Sequence, residues 1–335
     1  MRFNKILLLQ QNMLGDVVCS TGVVKAFREQ FSNSKIAFLV SPETADLVRL
    51  PFIDELVIYD KGMPLWPVIR QVWRYDIAIA LDFKYRSAVI PFLARIPIRA
   101  GLAHKRKLFM THAISLPECN NRLYIAEYMA EIIKRAIGLR LKYDVTKLYV
   151  ADATNKDKEN VTNLLGTLDK DSLHIAIAPF TSMKVKDWLP EYYKRFMLEI
   201  KQKMPCRFVI LGAKSDKSKD FYLPEETIDL RGRTSLTETA EVLRRMDYFI
   251  GGCSAPLHIA TAVETPALAF YGPTAAAKWA PLNKCVVLQN TPHCSPCDRN
   301  YGAVCNGNNT CMKSIKVEAA LEGFNKLINM YPIIR

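Results

Sequence analysis

No apolar run in this 335-residue chain approaches the roughly 20 residues that cross a bilayer. Runs such as 6–9 and 175–178 are only a few residues long. The N-terminus carries basic residues but its apolar stretch before Gln10 is only four residues long, a poor signal peptide, so the chain reads as cytoplasmic. Glycine and proline, at 14 and 18, are too few for a fibrous or low-complexity protein. Neither a GxGxxG fingerprint nor a Walker A loop is present, which argues against a plain NAD dehydrogenase or a P-loop ATPase. Acidic residues are outnumbered, 33 against 46 Lys and Arg, for a net charge of +13. That excess suits nucleotide phosphates, phosphorylated lipids, an anionic membrane surface or nucleic acid, or else a generally basic solvated surface.

What is present fits a soluble globular chain: half the residues are hydrophobic and 24% are charged. At roughly 150 residues per domain the length suggests two domains. Short Val/Ile/Leu-rich runs at 5–9, 35–40, 55–59 and 76–81 alternate with helical patterns, including an amphipathic one over 122–137 that Gly138 would stop. After the polar stretch 151–159 the alternation resumes, with strands expected at 174–179, 207–211, 228–230, 248–250 and 267–271. Helices are expected from Pro190, over 235–246 and 256–263, and over 315–329. Strand–helix alternation on both sides of one linker predicts two doubly wound α/β domains, divided at 160/161, with ligands at the carboxyl ends of the strands and in the cleft between the domains. The last helix could pack back on the first domain.

Several loops carry candidate chemistry. The loop 10–15 follows the first strand and leads to Asp16, a possible general base at a helix start, or a residue complementing the helix dipole. The loop 179–188 offers Thr181, Ser182, Lys184 and Lys186 to a diphosphate, or is a solvated basic loop. Gly251 to His258 form a turn that opens a helix, where unpaired N–H groups bind anions and His258 bonds a phosphate or a core partner. Gly272 and Thr274 end the next strand at the same edge, as a phosphate or sugar contact or simply a turn. Of nine cysteines, Cys19, Cys119, Cys206, Cys253 and Cys285 are scattered, as in a reducing compartment. Cys294, Cys297, Cys305 and Cys311 are spaced C-x2-C-x7-C-x5-C, which leaves open a structural zinc knuckle, a buried thiol cluster or an oxidisable pair.

The strand–loop–Gly15-Asp16 start, the Lys186-x-Trp188 loop, Ser254-x-Pro256-x-His258, the YGPT at 271–274 and the CSPC at 294–297 occur in one order. Together, from Lys5 to about Ile315, they resemble glycosyltransferase family 9, the lipopolysaccharide heptosyltransferases. The resemblance implies a GT-B fold: a Rossmann-like acceptor domain over 1–160 and a Rossmann-like nucleotide-sugar domain over 161–335. It implies an inverting transfer that needs neither cofactor nor divalent metal, from a nucleotide-sugar, typically ADP-heptose, to a lipopolysaccharide core or related glycolipid. Asp16 matches the family's base and Lys186 the lysine facing the donor diphosphate. Thr181, Ser182, Ser254, Ala255, Pro256 and His258 match its donor site, and Thr234 falls where a nucleoside contact is expected. Lys84, Arg86, Arg99, Lys105 and Arg106 would suit a phosphorylated acceptor, and the basic surface a peripheral place on the anionic inner membrane.

Two positions depart from the family pattern. Cys253 stands where an aspartate near the donor sugar is usual, and a thiol is a far poorer acceptor. Ala255 replaces a glycine. A GT-B transferase using another hexose or aminosugar donor is therefore the alternative reading. A zinc-stapled nucleic-acid module is a remoter one, opposed by the lack of an aromatic-interleaved basic stripe; no nucleic-acid partner is expected.

Overall fold

The computed structural model describes residues 2–115, 122–297, 305 and 308–333. Cys119 lies outside them. The chain forms two compact units, Met1–Ala151 and Asp152–Arg335. No helix among the described residues is long and apolar enough to cross a membrane.

The first unit runs β1 Lys5–Leu9, α1 Leu14–Gln30, β2 Lys35–Val40, α2 Pro42–Ala45, β3 Glu55–Ile58, α3 Leu65–Gln71, β4 Ile77–Ala80, α4 Arg86–Leu93, β5 Ile98–Leu102, β6 His112–Ile114 and α5 Ile125–Ile137. Its strands are all parallel, in the order β3-β2-β1-β4-β5-β6. Ile6, Leu7, Leu8 and Leu9 have no exposed surface, because helices cover both faces of a parallel sheet. Each such side chain stabilises the fold by about 1.5–3 kcal/mol. Gly138 ends α5 in the left-handed conformation, at φ 69°, that glycine adopts without a Cβ clash.

The second unit runs α6 Asn155–Leu165, β7 Leu173–Ala178, α7 Pro190–Lys203, β8 Cys206–Ile210, β9 Ile228–Asp229, α8 Leu236–Arg244, β10 Tyr248–Gly252, α9 Ala255–Ala262, β11 Ala267–Tyr271, α10 Ala276–Trp279, β12 Cys285–Gln289, α11 Thr310–Lys313 and α12 Val317–Met330. Its strands are again parallel, in the order β12-β11-β10-β7-β8-β9. Read from the other edge and numbered within the unit, that is 3-2-1-4-5-6, the same order as the first sheet and the Rossmann order.

The division falls at Ala151/Asp152, ahead of the expected 160/161. The physical reason is α6, whose Asn160 donates to Glu238 at 2.9 Å and whose Thr162 hydroxyl accepts from Arg245 at 2.8 Å, both on or next to α8. Thr154 caps α6 by accepting from the Asp157 N–H at 3.1 Å. The final helix, α12, packs on β11, β12 and α7 of its own unit, with Phe324 and Leu327 buried in that unit's core.

Candidate functional site

In each sheet the strand order reverses at one point, between β1 and β4 and between β7 and β10. The loops leaving the carboxyl ends there form the crevice where such folds bind ligands.

In the first unit β1 delivers the loop 10–13 and then Asp16, half-buried in the first turn of α1. The loop is tied across the reversal. Gln10 donates to the Leu81 carbonyl at 3.4 Å, and the Gln11 amide side chain to the Tyr59 carbonyl at 2.9 Å. The Gln11 backbone N–H donates to Asp82 at 2.7 Å. Asp82, at the end of β4, is 1% exposed and also accepts from the Lys84 N–H at 2.9 Å and the Ser87 hydroxyl at 2.8 Å. The Arg106 guanidinium stands 3.6 Å away. Burial pushes the Asp82 carboxyl up, while these donors and Arg106 favour its ionised form. Asp82 is absent from the sequence reading. Its signal was an aspartate closing the run 77–81, five residues before a serine.

The five cations expected to grip an acceptor do not form one set. Arg106 is a correction: it is 1% exposed, donating to the Lys84 carbonyl at 2.9 Å and the Leu102 carbonyl at 2.8 Å, so its charge serves the interior and not a ligand. Arg86 pairs with Asp60 at 3.1 Å. Arg99 is half-buried and donates to the Phe109 carbonyl at 2.7 Å and the Ile96 carbonyl at 2.5 Å. Lys84 and Lys105 are exposed.

In the second unit the loop after β7 is anchored at Trp188. That indole is 1% exposed, stacks on Phe270 with ring centres 4.3 Å apart, and donates to the Ile315 carbonyl at 2.8 Å. The Thr181 N–H donates to Asp187 at 2.7 Å, and the Thr181 hydroxyl donates to the Met183 carbonyl at 2.8 Å. Burial raises the Asp187 carboxyl, and the bonds from Thr181 offset part of that. The anchored loop puts half-buried Lys186 at the end of β7, with Ser182 exposed on it. Gly252, last in β10, lets the loops meet: a Cβ there would lie 3.1 Å from the Lys186 carbonyl and 3.2 Å from the Thr181 methyl.

Immediately after β10, Cys253 and Ser254 are half-buried, and Ser254 stands at the N-cap of α9 without capping it. Its hydroxyl donates instead to the Gly252 carbonyl at 3.3 Å. Ala255 and Pro256 form the first turn, and His258 follows on the same helix, 2% exposed. Burial, assisted by the nearby Lys186 ammonium, lowers the His258 imidazole to about 4, so it is neutral at physiological pH. The structure therefore brings Lys186, Thr181 and His258 together at one strand-order reversal.

The other expected donor residues lie further along this edge. Thr274 is buried and its carbonyl accepts from Gln289 at 3.1 Å. Thr234 follows β9, its hydroxyl 2.9 Å from that of Thr239. Gly272 has a packing role: a Cβ there would lie 2.4 Å from the Met312 sulfur and 3.0 Å from the Cys311 sulfur. The clustered cysteines reach this end of β11 as well, the Cys297 N–H donating to the Pro273 carbonyl at 2.7 Å. Cys294 and Cys297 are exposed, Cys305 half-buried and Cys311 buried. Burial, then the charges of the other three, raises the Cys311 thiol. Even so, no group of three or more His, Cys, Asp or Glu among the described residues could hold a metal ion.

Comparison with known proteins follows the same lines. The family model described as glycosyltransferase family 9 (heptosyltransferase) matches residues 65–313. Lipooligosaccharide heptosyltransferase 2 of Haemophilus influenzae is 23% identical, covering 96% of this chain and 99% of its own. Lipopolysaccharide heptosyltransferase 3 of Escherichia coli is 24% identical over 85% and 89%. Among solved structures, a glycosyl transferase family 9 protein from Veillonella parvula superposes with a TM-score of 0.80 at 18% identity, covering 98% of both chains. ADP-heptose lps heptosyltransferase II of E. coli gives 0.75 at 20%, covering 97% of this chain and 99% of its own.

Proposed function

The chain belongs to glycosyltransferase family 9, has the GT-B fold of two Rossmann-like domains and is an enzyme; on that premise we propose that it moves a heptose from ADP-heptose onto a lipopolysaccharide-core acceptor, with inversion and without a divalent metal. The family assignment removes the non-catalytic binding module from consideration. The observation that carries the proposal is the meeting of Lys186, neutral His258 and the uncapped start of α9 at one strand-order reversal.

In this reading the first unit serves the acceptor. Asp16 removes the proton of the acceptor hydroxyl as its oxygen attacks the anomeric carbon from the face opposite the diphosphate. Lys84 and Lys105 meet acceptor phosphates. The second unit serves the donor, with the bond from the anomeric carbon to the diphosphate oxygen breaking and its electron pair leaving on the nucleoside diphosphate. Lys186 and the N–H groups opening α9 stabilise that charge, the role a divalent cation fills elsewhere. Ser182 and Ser254 have hydroxyls at the same loop ends, and Thr234 and Thr274 extend the donor surface. The enzyme works in the cytoplasm, on the inner face of the membrane.

A specific observation favours a second reading of the donor. Cys253 occupies the position before α9 where family members carry an aspartate near the sugar, which suits a hexose or aminosugar with different hydroxyl contacts.

Thermal shift with ADP, UDP, GDP and CDP and their sugar conjugates, in EDTA, tests both. A nucleotide at 100 times its dissociation constant adds about 2.7 kcal/mol of stability. Stabilisation by ADP and ADP-heptose, followed by transfer in EDTA, is the expected result. Stabilisation by another nucleotide reassigns the donor, and no stabilisation by any overturns the donor site.

A further inference from the structure

Residues 83–115 contain seven Lys and Arg and no Asp or Glu. The same stretch exposes large apolar side chains: Leu108 is 84% exposed, Tyr85 55%, Phe92 44%, and Phe83 and Leu93 41% each. They are not scattered. Half-buried Phe109 forms a hub, with Tyr85 at 5.2 Å and Phe92 at 5.3 Å between ring centres, and Leu108 precedes it on the turn Lys107–Phe109. The Arg99 guanidinium lies 5.5 Å from the Phe92 ring centre. Arg106 is buried and Arg86 paired, so the exposed cations of this stretch are Lys84, Arg95, Lys105 and Lys107, with Arg95 lying 5.5 Å from the ring centre of Trp73.

An exposed apolar patch this contiguous marks an interaction surface. Its make-up selects the partner. Aromatic and leucine side chains ringed by basic residues, with no carboxylate within 83–115 and Asp60 already paired to Arg86, complement the headgroup layer of an anionic bilayer, where rings sit at the interface and cations meet lipid phosphates. A single-stranded nucleic acid would need rings offered face-on for stacking. Here Tyr85 and Phe92 each form a T-shaped pair with Phe109, at interplanar angles of 79° and 82°, so neither lies parallel to Phe109 in a stack. We propose that the α4 end and the Lys107–Phe109 turn of the first unit form the surface by which the enzyme docks on an anionic lipid bilayer, Tyr85, Phe92, Leu93 and Leu108 entering the interface and Arg95 and Lys107 meeting the headgroups. The inference rests on the proposed placement of the enzyme at the inner face of the membrane and names the surface that would hold it there, whichever sugar is moved.

Co-sedimentation of the full chain with phosphatidylcholine vesicles, with and without phosphatidylglycerol, tests it. The protein should bind the phosphatidylglycerol vesicles, and salt should weaken that binding. Arg95→Glu combined with Lys107→Glu should weaken it by about tenfold or more. Leu108→Ser, at a site too exposed to unfold the chain, should weaken it and leave a residue of binding that salt abolishes. Leu282→Ser, at an exposed leucine of the second unit, should change nothing. The proposal is overturned by no binding of the wild type, by equal binding to both vesicle types, or by variants that bind like the wild type. A dimer in sedimentation equilibrium that Leu108→Ser dissociates would overturn it too, giving the patch to a second copy of the chain.

Discussion

Two residues show how burial redirects a charge. Arg106 sits between two lysines in a run that reads as a solvated basic patch, yet its guanidinium is sequestered with Asp82. A buried pair broken at one end leaves an uncompensated charge, at a cost of about 3–5 kcal/mol. Arg106→Met should therefore lower urea-unfolding stability by about that much, whereas Lys105→Met should leave stability within about 0.5 kcal/mol and raise only the acceptor KM. His258 makes the complementary case. The fold lowers its imidazole from 6.5 to about 4, so the unfolded chain takes up the proton first as pH falls. The contribution is complete above pH 6.5 and is lost progressively down to about pH 4, amounting to about 3 kcal/mol. Unfolding of the wild type and His258→Gln at neutral pH and near pH 4 measures it. The variant should lose less stability on acidification, and equal losses would mean that another group carries the acid sensitivity.

At the scale of elements, the strands inside the sheets were the plainest in the sequence, and of the edge strands only β3 and β9 showed. β1, β2 and β11, inside the sheets, end where their apolar runs end. Edge strands β6 and β12, and β5 beside β6, escaped notice. β12 is mostly half-buried, β6 is three residues long, and the apolar run of β5 is interrupted by Arg99 and by Gly101, which has φ 148° and where a Cβ would lie 2.8 Å from the Ala80 carbonyl. Asp16, Lys186 and His258 each lie on the loop or first helical turn that follows a strand whose apolar run is plain in the sequence. The Asp82–Arg106 pair was not legible, since 24 positions separate the partners and nothing local reports their burial. The loop-to-strand contact at Gly252 is equally invisible in sequence and gives a prediction of its own. In Gly252→Ala the new methyl must push the Lys186 carbonyl by a few tenths of an ångström, shifting the donor loop while the core stays intact. Donor KM should rise several-fold, with the melting temperature and acceptor KM close to wild type. Unchanged donor kinetics would separate the Lys186 loop from donor binding.

At the scale of the whole molecule, the two units repeat one strand order, and each gathers its polar side chains at its own reversal. Each unit has its own buried core, so a substitution at one reversal should leave the other's ligand affinity alone. Asp16 belongs to the first unit and Lys186 to the second, and the transfer reading gives them separable duties. Asp16→Ala should cut turnover by about a hundred- to ten-thousand-fold, the range of a lost general base, while calorimetry shows ADP binding at wild-type affinity. Lys186→Ala removes a cation from a leaving diphosphate and should fail in both respects. ADP affinity should fall by about tenfold or more, consistent with losing a hydrogen bond to a charged group, and turnover with it. The contrast between the variants is the informative quantity, because a general loss of fold would depress both ligands in both proteins. Weakened ADP binding in Asp16→Ala would mean that its carboxylate shapes the donor site, and the base would then have to be sought among the other groups at the first sheet's carboxyl edge.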